Sequence, residues 1–449
     1  MLDAKEANRL AADLIKENSA ERVRLERLSR YMQGKQPDPW LPDGTDAEYR
    51  KIAKASASNW LQLVVRAVSQ GLIVDGYGDM TTTDGDGNAV ESDLWVRGWQ
   101  ANGMDARQHP LHDAALVHGY AFNFLMPADG GGVWIRPEAA TRVSARYAHP
   151  DDEWPEAAVR IVKKGHHELY DESARYVLTG ALGSAEVAVV EHDLGVTPAV
   201  KVQSDLSLIG PPQGEIEQVI PIQNRIVDAT FNLQMVAKYG AFPQRWISGM
   251  AAPAPDADGN VPLESRIRAY VDSILMAEDI DTKFGQFAAA DLRQFVDGLE
   301  AHIRHLAAIT QTPPHYLLGS LVNLSAEALA ASESGLQRKI RSRREVLGEG
   351  HEQTLRLAAA ILGDLEAAAD ITAQVHWQDV ESRSLAQTSD ALLKLGQLGV
   401  PAEMLFRMIP GWTQTDADEA VGMLERGGGI SALIDQLNAG LESPAAPVA

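Results

Sequence analysis

Cysteine is absent from the 449-residue chain. That excludes a disulfide framework, a thiolate nucleophile and any zinc or iron–sulfur site held by sulfur. A reducing cytoplasm fits the absence but does not follow from it. Long apolar runs are also missing: no stretch approaches the roughly twenty apolar residues that span a bilayer. The N-terminal MLDAKEANRLAADLIKENSAERVRL is charged and helical rather than a secretion signal, so a soluble protein with no membrane partner is expected. Catalytic signatures are missing as well, with no GxxxxGK[ST], GxSxG, HExxH or dinucleotide fingerprint. Positive charge is scarce, 40 Lys and Arg against 62 Asp and Glu for a net charge of −22. A surface gripping nucleic acid by phosphate neutralisation is therefore disfavoured.

What is present is ordinary globular composition, 45% hydrophobic and 23% charged, so most of the chain should fold. Its length suggests two to four domains. Apolar positions Leu10, Leu14, Val23, Leu25 and Leu28 predict one amphipathic helix to about residue 32. The turn-rich QGKQPDPWLPDGTD follows, and helical spacing resumes from Tyr49 to Leu72 through Trp60, Leu63, Val64 and Val68.

From Ile73 to about Val202 short β-type runs (AFNFLM, GVWIR, EAAVRIV, ARYVL, PAVKV) predict a mixed α/β domain with an antiparallel sheet. The DGGG at 129–132 falls at an expected hairpin turn, where loop freedom explains it better than a phosphate cradle. SLIGPPQGEIEQ marks a boundary, and Val219 to Lys238 reads as one helix. Residues 241–290 read as a small αβ module with strands in PQRWISGM and YVDSILM and a short helix at Leu263 to Arg268. A helix from Asp291 to Thr310 ends at Pro313 and Pro314, and TPPHYLLGSLVN is a loop. Ser325, with Leu324 stapled onto Leu329, then caps a helix running to about Leu362. The rest is helical with breaks at Gly399, Pro401, Pro410 and Gly411, and a disordered tail is expected at 431–449.

His302 and His305 stand three apart on a helix, a spacing that can serve a metal, but no third ligand is identifiable. His166, His167 and Glu168 read as solvent-facing polarity at a turn, since strand neighbours face opposite sides. No catalytic residue, cofactor site or metal site is expected. The one concentrated basic feature is Arg338, Lys339, Arg341, Arg343 and Arg344, which helical geometry spreads over more than one face. Ion pairs with acidic neighbours or a neighbouring subunit are the favoured reading, with phosphate contact as the other.

The order of elements resembles the portal proteins of tailed phages, in particular the siphophage-type family, over nearly the whole chain. The likeness rests on YMQGKQPDPWLP followed by EYRKIAKASASNWLQLVVRAVSQGLIVDGY, on LAAITQTPPHYLLGSLVNLSAEAL, and on VHWQDVESRSLAQTSDALLKLGQLGVPAEMLFRMIPGWT. Each is moderately specific alone; their order is more so. The resemblance implies a helix-rich α+β fold in a dodecameric ring that conducts viral DNA at one capsid vertex without enzymatic activity. It implies a wing over 1–215, a first stem helix over 216–240, a clip over 241–290 and a second stem helix over 291–311. A tunnel loop over 312–323, a long connecting helix over 324–362 and a helical crown over 363–430 complete the implied map.

Implied tunnel residues are Thr312, Pro313, Pro314, His315, Tyr316, Leu317, Leu318, Gly319 and Asn323, with DNA touched through Tyr316, Leu317, Leu318 and backbone groups. The implied clip interface holds Arg245, Trp246, Ile247, Tyr270 and Ile274. Implied partners are double-stranded DNA without sequence specificity, the terminase large subunit, head-completion or adaptor proteins, scaffold and major capsid protein. Location would be the virion, with host cytoplasm during assembly. Two alternatives are another phage head or adaptor component and a metal-assisted hydrolase.

Overall fold

The computed structural model describes residues 1–78, 81–83, 89–91, 94–240, 245–248, 283–286, 291–319, 326–378, 385–409, 411–412 and 414–425. The N-terminal stretch forms two helices rather than one, α1 (Ala4–Glu17) and α2 (Ser19–Met32). Asn18 makes the break: its side-chain amide and its backbone N–H both donate to Leu14 O. The bend sends the two apolar faces to different places. Ala7, Ala11 and Leu14 of α1 pack on one sheet, while Leu28 and Tyr31 of α2 enter the main core. A capping box starts α1, with Asp3 accepting from Glu6 N and Asp3 N donating to Glu6.

The run from Tyr49 to Leu72 is likewise split, into α3 (Ala47–Ala55) and α4 (Trp60–Ser69), because Asn59 caps the second helix by accepting from Gln62 N. Next come β1 (Val74–Tyr77), β2 (Thr81–Thr83), β3 (Ala89–Glu91), a helical turn over Trp95–Trp99, and α5 (Met104–His118). The α/β region continues with β4 (Tyr120–Ala128), β5 (Gly132–Ala139), β6 (Val143–Arg146), β7 (Ala157–Lys163), β8 (His166–Tyr170), β9 (Ala174–Thr179), β10 (Glu186–Glu191) and β11 (Ala199–Gln203).

These strands build an antiparallel sheet ordered β10-β9-β8-β7-β6 and a second ordered β11-β4-β5. Phe122, Phe124, Met126, Ala158 and Tyr170 form a core shared by the two. DGGG does turn the β4–β5 hairpin. Glu168 corrects the expectation of surface polarity: it is buried in β8 and accepts from Arg160 Nη1 at 2.9 Å and from Tyr170 Oη at 2.7 Å. Glu138 holds the other side of the same guanidinium, so the charge is compensated in place.

The second half opens with α6 (Ile220–Gly240) and β12 (Arg245–Ser248), and returns through β13 (Lys283–Gln286) to α7 (Leu292–Thr310). β12 pairs antiparallel with β13, Trp246 opposite Gly285, and α6 packs along α7. The expected strand in YVDSILM and helix at 263–268, with Tyr270 and Ile274, lie outside the described residues. α8 (Pro314–Leu318) replaces the expected loop: Pro314 at the first helical position needs no N–H there, and Gly319 at φ 65° ends the turn.

Then comes α9 (Ala326–Leu362), 37 residues long, matching the proline-free run expected to reach about Leu362. Ser325 and Leu324 lie outside the described residues. α10 (Leu365–Ala369), β14 (Val375–Trp377), α11 (Leu385–Gln397), α12 (Ala402–Phe406) and α13 (Gln414–Glu425) follow, with β14 returning to pair with β1.

The long helix α9 is the beam against which the first half of the chain packs. Leu336, Ile340, Leu347, Leu355 and Ala358 form a buried stripe against α4, the Trp95–Trp99 turn and the sheet β11-β4-β5. Gly350 brings α9 close to β11, since a Cβ there would lie 2.9 Å from Val202 Cα. Gly350→Ala is expected to destabilise the chain by about 1–3 kcal/mol through overpacking; an unchanged urea midpoint would contradict this close packing.

Candidate functional site

The five basic residues of α9 separate by face. Arg338 and Arg341 are exposed, whereas Lys339, Arg343 and Arg344 turn inward. Lys339 Nζ lies 2.5 Å and Arg343 Nε 2.7 Å from the two oxygens of Glu215, and Arg343 Nη1 also reaches Asp205 at 3.1 Å and Ser204 O at 2.9 Å. Burial alone would push the Glu215 carboxyl up, but Lys339 and Arg343 outweigh it and hold the group below its ordinary value. Arg344 donates to Gly71 O and Gln378 O, and its guanidinium stands 5.8 Å from the Trp377 ring centroid. Lys339 and Arg343 thus pair with acidic neighbours of their own chain, and Arg344 with backbone carbonyls. These side chains fasten α9 to its own chain, while Arg338 and Arg341 face outward.

The segment 312–319 is tied to the same junction. Lys339 donates to Thr310 O at 2.9 Å, Thr310 Oγ1 donates to Thr312 Oγ1, and Thr312 N donates to Ala307 O. Gln311, at φ 54°, ends α7. Thr312 and Pro313 are buried, and Leu317 sits in the main core, with Leu318 packed against it. The expectation that Leu317 offers itself to DNA is corrected, because core burial gains more than exposure in a channel. His315 lies 3.8 Å from Glu333, and the Tyr316 hydroxyl donates to the same carboxylate at 3.4 Å. Pro314, Tyr316 and Gly319 are the outward-facing members of the set; Asn323 lies outside the described residues.

Arg245, Trp246 and Ile247 are placed by backbone on β12, opposite Gln286, Gly285 and Phe284. His302 and His305 have ring centroids 6.4 Å apart. Among the described residues no group of three or more His, Asp and Glu could hold a metal ion, and no helix is long and apolar enough to cross a membrane.

Two features escaped the sequence. One is the Glu215 hub. The other is a buried histidine pair joining α5 to the middle of α9: His112 Nε2 and His351 Nε2 stand 2.7 Å apart. His112 Nδ1 faces Leu72 O at 3.1 Å, which can only accept, so this nitrogen carries the proton. His112 Nε2 must then accept from His351 Nε2–H, which leaves His351 Nδ1 bare, with no partner among the described residues. Trp99 and Trp377 enclose the pair, with ring centroids 5.4 and 6.2 Å from His351. Burial pushes His351 down to about 4 and His112 well below its ordinary value. Both are neutral at pH 7.

The chain is acidic and helix-rich, with α6 packed along α7, the β12–β13 pair between them in the chain, and α9 running 37 residues. The phage portal protein family, SPP1 Gp6-like, matches residues 11–428, and the chain belongs to it. Its role is the structural one of a phage portal. Among curated relatives, the portal protein of Mycobacterium phage L5 is 27% identical over 80% of this chain and 76% of its own. That of Mycobacterium phage D29 is 28% identical over 76% of this chain and 73% of its own. A chain from the neck of a native GTA particle computed with C12 symmetry covers 85% of this chain and 98% of its own, at 14% identity and a TM-score of 0.46. That likeness is too loose to add to the family assignment.

Proposed function

We propose that the chain forms a dodecameric ring at one capsid vertex, through which viral DNA enters during packaging and leaves on ejection, with no catalysis of its own. The observation that carries this is the family match along most of the chain, joined to the way α6 and α7 pack together with the β12–β13 pair between their ends. In this reading α6 and α7 are the stem and residues 241–290 the clip, which meets the terminase large subunit and later the head-completion or adaptor protein. The region 1–215 with part of α9 is the wing, facing scaffold and major capsid protein, and residues 363–430 are the crown. The segment 312–323 narrows the channel, presenting Tyr316 and backbone to DNA without sequence specificity. Host cytoplasm is the place of assembly.

A net charge of −22 per subunit, multiplied around a ring, opposes closure. Assembly is therefore expected to strengthen with ionic strength or divalent cations; an unchanged particle mass from low to high salt would count against this. The role itself is tested by infection with phage lacking this gene, which should yield heads empty of DNA. DNA-filled heads would contradict it.

A further inference from the structure

Between β11 and α6 the chain makes a nine-residue excursion, Asp205 to Gln213, whose base is clamped and whose tip is apolar. Gln213 N donates to Asp205 Oδ2 at 3.3 Å, closing the loop, and Arg343 holds Asp205 and Ser204 O from α9. Ser204 Oγ donates to Ala115 O, and Glu215 N donates to Leu116 O. Gly119, at φ 93°, lets the end of α5 press against the returning limb, where a Cβ would lie 2.4 Å from Pro212 O. The loop is compact, with neighbouring ends and ties at both limbs.

Its tip contradicts the ordinary rule for such loops. Leu206 is 66% exposed, and Leu208 and Ile209, at 103% and 101%, are the most exposed large hydrophobic residues among those described. Single exposed aliphatics need no explanation; three within four residues on a fastened loop do. The seven residues Leu206 to Pro212 carry no charge. An uncharged tip suits contact with a second copy, because two copies of a chain with net charge −22 repel wherever their charged surfaces meet.

We propose that the 205–213 loop is an arm that docks on a neighbouring copy of this chain, giving each subunit one arm to offer and one to receive. The proposal rests on the ring reading above and names the contact that closes it. A repeated head-to-tail contact of this kind generates a closed ring when the rotation between copies closes. The hub of Glu215, Lys339 and Arg343 at the base then aims the arm, and the beam helix sets its direction.

The test places a photo-crosslinking p-benzoylphenylalanine at position 208 of the full chain and, separately, makes the double variant Leu208→Ser, Ile209→Ser. The cysteine-free sequence also allows a single Leu208→Cys label without background. Expected are rings for the unmodified protein, crosslinks from position 208 to a second copy, and for the double variant about a tenfold or greater rise in the protein concentration needed for rings. Circular dichroism of the variant should be unchanged, since both side chains are fully exposed. Rings that form equally well in the variant, with crosslinks confined to one chain or absent, overturn the arm and leave the ring reading standing. Failure of the unmodified protein to form rings at any concentration or salt overturns both. A crosslink in phage particles to another head protein, and none to a second copy, also overturns the arm.

Discussion

Glu215→Ala is expected to destabilise the subunit by about 3–5 kcal/mol, the loss typical of removing one partner from a buried ion pair. Glu215 is 7% exposed at the side chain, and it faces two cations, Lys339 at 10% and Arg343 at 20%. Without the carboxylate, two cations share a poorly solvated site with, among the described residues, Asp205 and the carbonyls of Thr310 and Ser204 to face them. Glu215→Gln keeps acceptor geometry for one contact and should lose less. The combination Glu215→Leu, Lys339→Met, Arg343→Met should recover most of the loss, because the cost comes from the unpaired charges rather than from the missing attraction. Urea unfolding of the three variants checks the ordering. An alanine variant as stable as the parent would mean that α9 is not fastened through this hub.

Acidification between pH 6.5 and about 4 is expected to remove on the order of 3 kcal/mol through His351, with a further contribution from His112. Each folded-state value is depressed, so between the folded and unfolded values the unfolded chain binds more protons. Stability is therefore full above the unfolded value, falls as pH drops through 6.5, and levels off below the folded value. His109, three residues before His112 on α5, further disfavours the charged form of His112. His118, which accepts or donates to Ser29 Oγ at 2.8 Å, is pushed down to about 4 mainly by burial and adds to the same window. Glu215 acts elsewhere on the scale: its folded value is lowered, so its stabilisation is present above the ordinary carboxylate range and lost only as pH falls below it. Melting temperature against pH for the parent and His351→Gln separates these. The variant should show a shallower slope from pH 6.5 to 5, and an identical slope would contradict the role given to the pair.

The elements legible in the sequence are those with sustained periodicity. α6 and α7 fall where the spacing of Ile222 and Ile226 and of Ile303 and Leu306 puts them, and α9 fills the proline-free run that reaches Leu362. The strands of the α/β region appear where β-branched and aromatic runs are cut by Gly and Pro. The break at Asn18 was hidden because leucines continue on both sides of it, and the decisive bond goes to Leu14 O, which leaves no mark on periodicity. α8 was hidden behind two prolines that read as a loop yet suit a first helical turn. β13, with sequence KFGQ, lacks the alternation of a half-buried strand. Pairings between distant positions were out of reach altogether: Arg343 and Glu215 are 128 residues apart, and His112 and His351 are 239 apart. A single sequence gives the residue types for such contacts but not who meets whom.

The central claim, a ring subunit built on a beam helix, is tested most directly by imaging the purified full-length chain by electron microscopy with its mass determined on the same sample. The account predicts closed rings of about twelve subunits around a hole that admits duplex DNA, with the assembled fraction rising with protein concentration and salt. A compact dimer or tetramer without a channel would contradict it.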